Sequence, residues 1–436
     1  MRGSSVPYDG MAEARDGRSG GPNRLRRVTS SQPRALLLEG IHPDAVERLK
    51  ADGFSVDALP KALSEDDLIS RLDGVQLLGI RSKTQVTERV IAAARDLVGL
   101  GAFCIGTDQI DLPAASRAGI AVFNAPFSNT RSVVELVLAE IIALTRRLVE
   151  KNAAMHAGVW DKAAEGSHEI RGRRLGIVGY GNIGTQLSVL AENVGMRVSF
   201  YDVAEKLALG NARRCGSLDE LLPESDVVSL HVDGNVNNRE LFGAAQFARM
   251  RPGSILLNLS RGFVVDHVEL RKHILSGHLA GAAIDVFPHE PMGRGEEFES
   301  ELRGLPNVIL TPHIGGSTEE AQADIGDFVA GKLSTFYRDG GTRLSVNLPA
   351  VVLPRPSSPV TAPTGERLSL VHANLPGVLG KVNNVLAEHG LNVEGQVLGT
   401  RGEYGYVITD LGGHVPDAAV ARLAELPETT RLRVLR

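Results

Sequence analysis

RLGIVGYGNIG (174–184) decides the fold: a short apolar, β-branched run enters a glycine turn, and the turn opens an amphipathic stretch over 183–194. In a GxGxxG turn, Gly179 permits the sharp reversal, Gly181 lets the backbone approach a pyrophosphate, and Gly184 lets helix meet strand. The N-terminus of the following helix then faces the phosphates. Such turns recur by chance, so the surroundings matter. Asp202 ends the next apolar run, RVSFYD (197–202), at about the ~20-residue distance at which a dinucleotide site places its ribose-binding carboxylate. A carboxylate there repels a 2′-phosphate, and no arginine follows in VAEK (203–206), so the expected cofactor is NAD rather than NADP.

Outward from this turn the chain alternates strand-like and helix-like stretches. Downstream come DVVSLHV (226–232), SILLNLS (254–260), LAGAAIDVF (279–287) and NVILTP (307–312). Upstream, ALLLEG (35–40), VQLLGIRS (75–82) and LVGLGAF (97–103) read as strands, with helices over 43–53 and 87–96. This βαβ rhythm predicts parallel sheets. A longer helix is expected over 132–157, and another over 319–337 returns the chain toward the first unit. Residues 349–365 hold five prolines without amphipathic period and read as an extended linker. The last 70 or so residues run strand, helix, strand, strand, helix, strand, the ferredoxin-like order.

The expected fold class is therefore α/β. A Rossmann-type NAD domain (131–318) is inserted in a flavodoxin-like substrate domain (33–130 and 319–348), with a cleft between them. A linker (349–365) and a ferredoxin-like βαββαβ unit (366–436) follow, and residues 1–32, rich in Gly, Ser and Arg, read as a disordered tail.

Composition sets bounds. The 436 residues are 43% hydrophobic and 23% charged, enough for a full core, and the net charge of −5 offers no nucleic-acid surface. Cys104 and Cys215 lack metal-ligand spacing, which points to no metal and to a reduced, cytoplasmic setting. The most apolar run, 133–144, is broken by Glu135 and Glu140 and fits a buried helix better than a membrane span.

Three further segments carry chemistry, each just beyond a strand-like run: NLSRG (258–262), DVFPHEP (285–291) and TPHIGGST (311–318). Ligands of open α/β sheets bind beyond the carboxyl ends of the strands, so Arg261, Glu290 and His313 should converge on one crevice. Singly, each has a plain reading: a surface arginine, a loop acid, a structural histidine. Together they supply what oxidation of a 2-hydroxy acid needs. A base takes the hydroxyl proton, a carboxylate fixes the imidazole, and a cation clamps the substrate carboxylate.

These motifs, with NAPFSNTRS (124–132) and IRSKT (80–84), resemble the D-isomer-specific 2-hydroxyacid dehydrogenases, from about residue 34 to the C-terminus. The resemblance implies that Arg261 binds and polarises substrate, Glu290 supports His313, and His313 is the acid/base. It places the NAD contacts at Gly179, Gly181, Asn182, Ile183, Gly184, Asp202, Leu259, Ser260, Arg261, Asp285, His313, Gly315 and Gly316. It puts Arg81, Ser82, Asn129 and Gln322 near the substrate, and Lys162, in GVWDK (158–162), is expected to add positive charge to the cleft. Leu259 stands where relatives often carry a small residue. The terminal unit resembles an ACT domain, a module that often binds amino acids at a dimer interface, and HANLPGVLG (372–380) matches its first strand-to-helix turn. His372, Asn374 and Asn392 fall at the effector contacts of serine-sensitive relatives. The implied substrate is 3-phosphoglycerate, oxidised to 3-phosphohydroxypyruvate at the entry to phosphorylated serine synthesis, with L-serine as inhibitor, a homotetramer as assembly, and 2-oxoglutarate reduction as a side activity. Alternatives are another enzyme of the family or an NAD-binding co-repressor without catalysis. The effector-like module and IRSKT favour the first reading.

Overall fold

The structure, a computed structural model, describes residues 25–27, 32–291, 295–355 and 365–435, and three sheets organise them. In the first, five parallel strands lie in the order Ser55–Ala58, Arg34–Leu37, Val75–Ile80, Gly99–Ala102, Ala121–Phe123. Numbered along the chain this is 2-1-3-4-5, the flavodoxin-like order. The long helix Glu319–Asp339 packs back onto this unit, against the Pro43–Ala51 helix and the Gly99–Ala102 strand. Gly340, left-handed at φ +76°, ends that helix. Beyond it, Asn347 knits the returning chain to the edge strand, accepting from Val122 N–H at 2.9 Å and donating to the Ile120 carbonyl at 2.9 Å.

The second sheet has seven parallel strands, in the order Val308–Leu310, Leu279–Ile284, Ser254–Asn258, Val227–Leu230, Arg174–Val178, Arg197–Tyr201, Arg213–Arg214. Along the chain this is 7-6-5-4-1-2-3, the Rossmann order with a seventh strand. Both faces are covered, so central strands such as Ser254–Asn258 are buried at every residue and read as continuous apolar runs.

The third sheet is antiparallel among its four main strands, Thr429–Leu435, Arg367–Ala373, Tyr404–Leu411 and Val393–Arg401. Helices Val378–Glu388 and Asp417–Glu425 cover one face around Leu370, Val382, Val407 and Leu423. The other face docks on the first unit, where Val371, Tyr406 and Ile408 join a core with Phe336, Tyr337 and Leu348. Tyr406 Oη–H donates to the Gly340 carbonyl at 2.6 Å, and the buried Arg433 guanidinium donates to the Phe336 and Tyr337 carbonyls at the end of the long helix.

Two expectations need correction. Leu25–Arg27 is not structureless: it forms an edge strand parallel to Thr429–Leu435. An open sheet edge presents unpaired N–H and C=O groups that order an extended segment. The rest of the expected tail, 1–24 and 28–31, and 356–364 of the expected linker lie outside the described residues. The helix expected over 132–157 is two helices, Thr130–Thr145 and Leu148–His156, separated by Arg147 in a left-handed conformation at φ +50°. The first buries an apolar face on the second sheet, whereas the second buries no residue. Arg147 instead pairs with Glu150, and His168 N–H caps the first helix by donating to the Thr145 carbonyl at 2.9 Å.

Candidate active site

The two parallel sheets present the carboxyl ends of their strands to one cleft. Beyond the Arg174–Val178 strand, Gly179 adopts φ +92°, and a Cβ there would lie 2.4 Å from the His231 carbonyl oxygen. A Cβ on Gly184 would lie 2.2 Å from the Gly179 carbonyl oxygen, so the helix Asn182–Asn193 can start this close to the strand only with glycine at that position. Gly181 caps that helix without a side-chain hydrogen bond, and its Cβ direction is open. The first helical amides, from Asn182 onward, are thus directed at space into which a phosphate fits. Asp202 stands at the end of the neighbouring strand, oriented by the Tyr180 and Ala204 N–H groups at 2.8 Å each. A glycine cradle, a helix N-terminus and a ribose-side carboxylate fit NAD.

Arg261 leaves the Ser254–Asn258 strand through a turn built by Asn258. That fully buried amide accepts from Ser260 N–H and Oγ–H and donates to the Arg261 carbonyl at 3.0 Å. The turn sits hard against the next loop, since a Cβ on Gly262 would lie 2.0 Å from the Phe287 carbonyl carbon. That loop carries Glu290, whose Oε1 accepts from Phe287 N–H at 3.1 Å and whose Oε2 accepts from His313 Nδ1–H at 2.8 Å. His313 is left-handed at φ +55°, with about half its side chain exposed (50%). Asp285, buried to 1%, holds this loop: its carboxylate accepts from Thr311 Oγ–H and from the Ile314 and Gly315 N–H groups at 2.6–2.8 Å.

The charges follow from this geometry. The Glu290 hydrogen bond, against the effect of burial, raises His313 above the ordinary imidazole range. Burial pushes Glu290 upward, but His313, the Phe287 amide and Arg261 outweigh it and hold the carboxyl below its usual range. The Arg261 charge acts on both partners, which places all three in one electrostatic field.

The first sheet supplies the opposite wall. Arg81 and Ser82 follow the Val75–Ile80 strand. Asp108, in the loop beyond Gly99–Ala102, lies 3.7 Å from Arg261 Nε across the cleft. Asn182 Nδ2–H donates to the Pro126 carbonyl at 3.3 Å, and Asn129 packs on Gly316, where a Cβ would meet its amide nitrogen at 2.1 Å. Gln322 Nε2–H donates to the Gly316 carbonyl at 3.3 Å. Asn129 and Gln322 therefore meet at the His313 loop. Cys104, just behind, is pushed up to about 11 by burial, so it is no ready thiolate.

Some expected residues stand elsewhere. Lys162 lies in the exposed segment after Leu148–His156, and no hydrogen bond or ion pair among the described residues ties it to the cleft. Leu259, by contrast, stays at the site: its side chain packs with Val133 and Tyr180 and lies against Gly315 of the His313 loop. In the third unit His372 is buried on Gly405, and Asn374 donates to the Gly402 carbonyl at 3.0 Å. Asn392 is exposed at the opposite end of that sheet, where its carbonyl accepts from Gly412 N–H. Within one chain these three do not meet. Asn258, Asp108 and Asp285 as a loop anchor were not read from sequence. Asn258 lay inside a quoted motif, but nothing in its spacing distinguishes a buried turn anchor from a strand terminus.

Comparison with known proteins places these features. Residues 138–315 match the family model described as D-isomer specific 2-hydroxyacid dehydrogenase, NAD binding domain, and 368–431 match an AHAS small subunit-like ACT domain. A D-3-phosphoglycerate dehydrogenase of Haemophilus influenzae is 48% identical over 409 residues, covering 94% of this chain and 98% of that protein. One of Escherichia coli K12 is 49% identical over 403 residues, covering 92% and 97%. Among solved structures, D-2-hydroxyisocaproate dehydrogenase superposes with a TM-score of 0.66 at 27% identity, over 72% of this chain and 99% of that one.

Proposed function

The chain belongs to the D-isomer specific 2-hydroxyacid dehydrogenase family, and we propose that within it the chain oxidises D-3-phosphoglycerate to 3-phosphohydroxypyruvate with NAD, opening the phosphorylated route to serine. The observation that carries the chemistry is the His313–Glu290 pair at 2.8 Å, in the field of Arg261 and beside the glycine cradle. The substrate is supported by the near-full-length likeness to D-3-phosphoglycerate dehydrogenases, which extends through the ACT unit.

Each residue has a role in this reading. Arg261 pairs with the substrate carboxylate and draws electron density from the adjacent C2–O bond. With its Nδ1 proton committed to Glu290, His313 offers the Nε2 lone pair to the C2 hydroxyl and takes its proton; in reduction it returns that proton to the oxo group. NAD, when bound, supplies the hydride acceptor at its nicotinamide. The amides of Asn182, Ile183 and Gly184 and the Asp202 carboxylate would hold the dinucleotide, with the 259–261 and 313–316 loops beside its reactive end. Arg81, Ser82, Asn129 and Gln322 would read the rest of the substrate.

In the same reading, residues 33–130 with 319–348 form the substrate domain, 131–318 the NAD domain and 366–436 the regulatory domain. L-serine is its effector, and the enzyme works in the cytoplasm. The effector residues support a site shared between copies. If two chains pair antiparallel along Val393–Arg401, the edge strand of the described sheet, Asn392 approaches His372 and Asn374 of the partner subunit. A second contact between NAD domains would then complete a homotetramer.

The test is NADH oxidation with 3-phosphohydroxypyruvate, hydroxypyruvate and 2-oxoglutarate, each with and without L-serine. Preference for the phosphorylated acid and suppression by serine are expected. Preference for an unphosphorylated acid would move the enzyme to another branch of the family. NADH binding without turnover of any oxo acid would favour the co-repressor reading.

A further inference from the structure

In an open α/β sheet the ligand crevice lies where the strand order reverses. In the first sheet that point falls between the Arg34–Leu37 and Val75–Ile80 strands. Two loops meet there, and the one after Arg34–Leu37 places Glu39 in a left-handed conformation at φ +64°. A glutamate gains nothing local from that backbone, which favours glycine or asparagine. A strained residue held at the mouth of a crevice is accounted for by what its side chain does there.

The Glu39 carboxylate gathers the amides of the neighbouring loop. Its Oε1 accepts from Thr84 N–H at 2.8 Å and from Arg81 N–H at 3.2 Å, and its Oε2 accepts from Lys83 N–H at 3.0 Å. The amide that Glu39 skips is Ser82 N–H, in the exposed middle of the loop. The Arg81 carbonyl is held from the other side by Gln109 Nε2–H. The charges of Glu39, Arg81 and Arg261 all act on the Cys104 thiol, so the loop lies close to the arginine assigned to the substrate carboxylate.

We propose that Glu39 is a positioning residue for the substrate: its carboxylate folds the 81–84 loop so that the Arg81 guanidinium and the Ser82 N–H are offered to the acidic substrate in the cleft. An anion-collecting row of amides would otherwise be free to bind an anion of its own. Glu39 fills that row with a fixed charge and leaves Ser82 N–H outside it. The inference rests on the reading that the 81–84 loop contacts substrate.

Glu39→Gly removes the carboxylate while relieving the left-handed backbone, so the strain released offsets part of the three lost hydrogen bonds. The expected result is at most a modest fall in Tm and an unchanged Kd for NADH. KM for 3-phosphohydroxypyruvate should rise about tenfold or more with a smaller change in kcat. Glu39→Gln, which keeps one acceptor oxygen, should fall between wild type and Glu39→Gly in kcat/KM. Arg81→Ala is the control for the underlying reading. If Arg81→Ala raises KM and Glu39→Gly does not, the loop meets substrate without help from Glu39 and the proposal is overturned. If neither raises KM, the loop reading and the proposal fall together. A parallel rise in the Kd for NADH would show a general disturbance of the fold and would also overturn it.

Discussion

At the scale of single residues, the acid/base role proposed for His313 depends on its partner. Glu290 holds the imidazole 2.8 Å away and raises its pKa, so the protonated form persists to a higher pH than in a free histidine. Reduction of the oxo acid needs that proton and oxidation needs the neutral ring. Reduction should therefore decline as pH climbs through the raised pKa, and oxidation should increase over the same range. Glu290→Gln removes the charge that raises the pKa, so both limbs should move to lower pH, with a fall in kcat. Profiles of kcat/KM in the two directions test this, and limbs unmoved in Glu290→Gln would detach Glu290 from the titration. His313→Asn should lose about a hundredfold or more in turnover while still binding NADH, since general acid–base catalysis contributes on that order. Turnover near wild type would remove His313 from its role.

Among the elements, the strand–turn–helix at 174–193 was legible from sequence because each glycine meets a separate steric demand. At Gly184 a methyl group would lie 2.2 Å from the Gly179 carbonyl oxygen, a backbone atom that cannot rotate away. Gly184→Ala should therefore push the helix off the strand and weaken NADH binding by about tenfold or more, a loss of at least ~1.4 kcal/mol, measurable by fluorescence titration. An unchanged Kd would mean that the helix start does not set the phosphate site. The Thr130–Thr145 helix holds a less visible feature. Glu140 is 3% exposed, neither carboxylate oxygen has a hydrogen-bond partner among the described residues, and burial, with the Asp285 charge adding to it, pushes the group up to about 8 from its usual 4.5. The folded form thus keeps a proton that the unfolded chain releases, so Glu140 subtracts stability increasingly as pH rises from 4.5 toward 8. Glu140→Gln should be the more stable protein at pH 7 by about 3 kcal/mol, with the difference shrinking toward pH 5. A difference that does not vary with pH would show that Glu140 does not titrate in this range. In the sequence, Glu140 served only as an interruption in an apolar run, because periodicity reports a buried face and not whether a polar group on it finds a partner. The break at Arg147 was hidden for a related reason. The residues on both sides favour helix, and the first one ends at the left-handed Arg147, with His168 N–H, distant in sequence, on the Thr145 carbonyl.

For the molecule as a whole, the alternation of strand and helix was enough to read the two parallel sheets and the βαββαβ unit, since each follows from local pattern and order. The docking of the third sheet was not, because it depends on buried cations such as Arg433 meeting the carbonyl end of a helix about a hundred residues earlier in the chain. The residues proposed as effector contacts pose the same problem between chains. His372 pairs with Gly405 across the sheet, whereas Asn392 lies beside Gly412, so the two stand about 20 Å apart along a strand direction rising ~3.3 Å per residue. One small amino acid cannot touch both in a single chain. Antiparallel pairing of two Val393–Arg401 edges would build two identical sites, each with His372 and Asn374 from one copy and Asn392 from the other. In a mixed pair made of His372→Ala and Asn392→Ala chains, one site collects both lesions and the other collects neither. Homogeneous Asn392→Ala or His372→Ala protein should give no calorimetric signal with L-serine, and the purified mixed pair should bind one L-serine per two chains. A mixed pair that stays silent like its parents would confine each site to one chain and rule out the shared edge as the place where the effector acts.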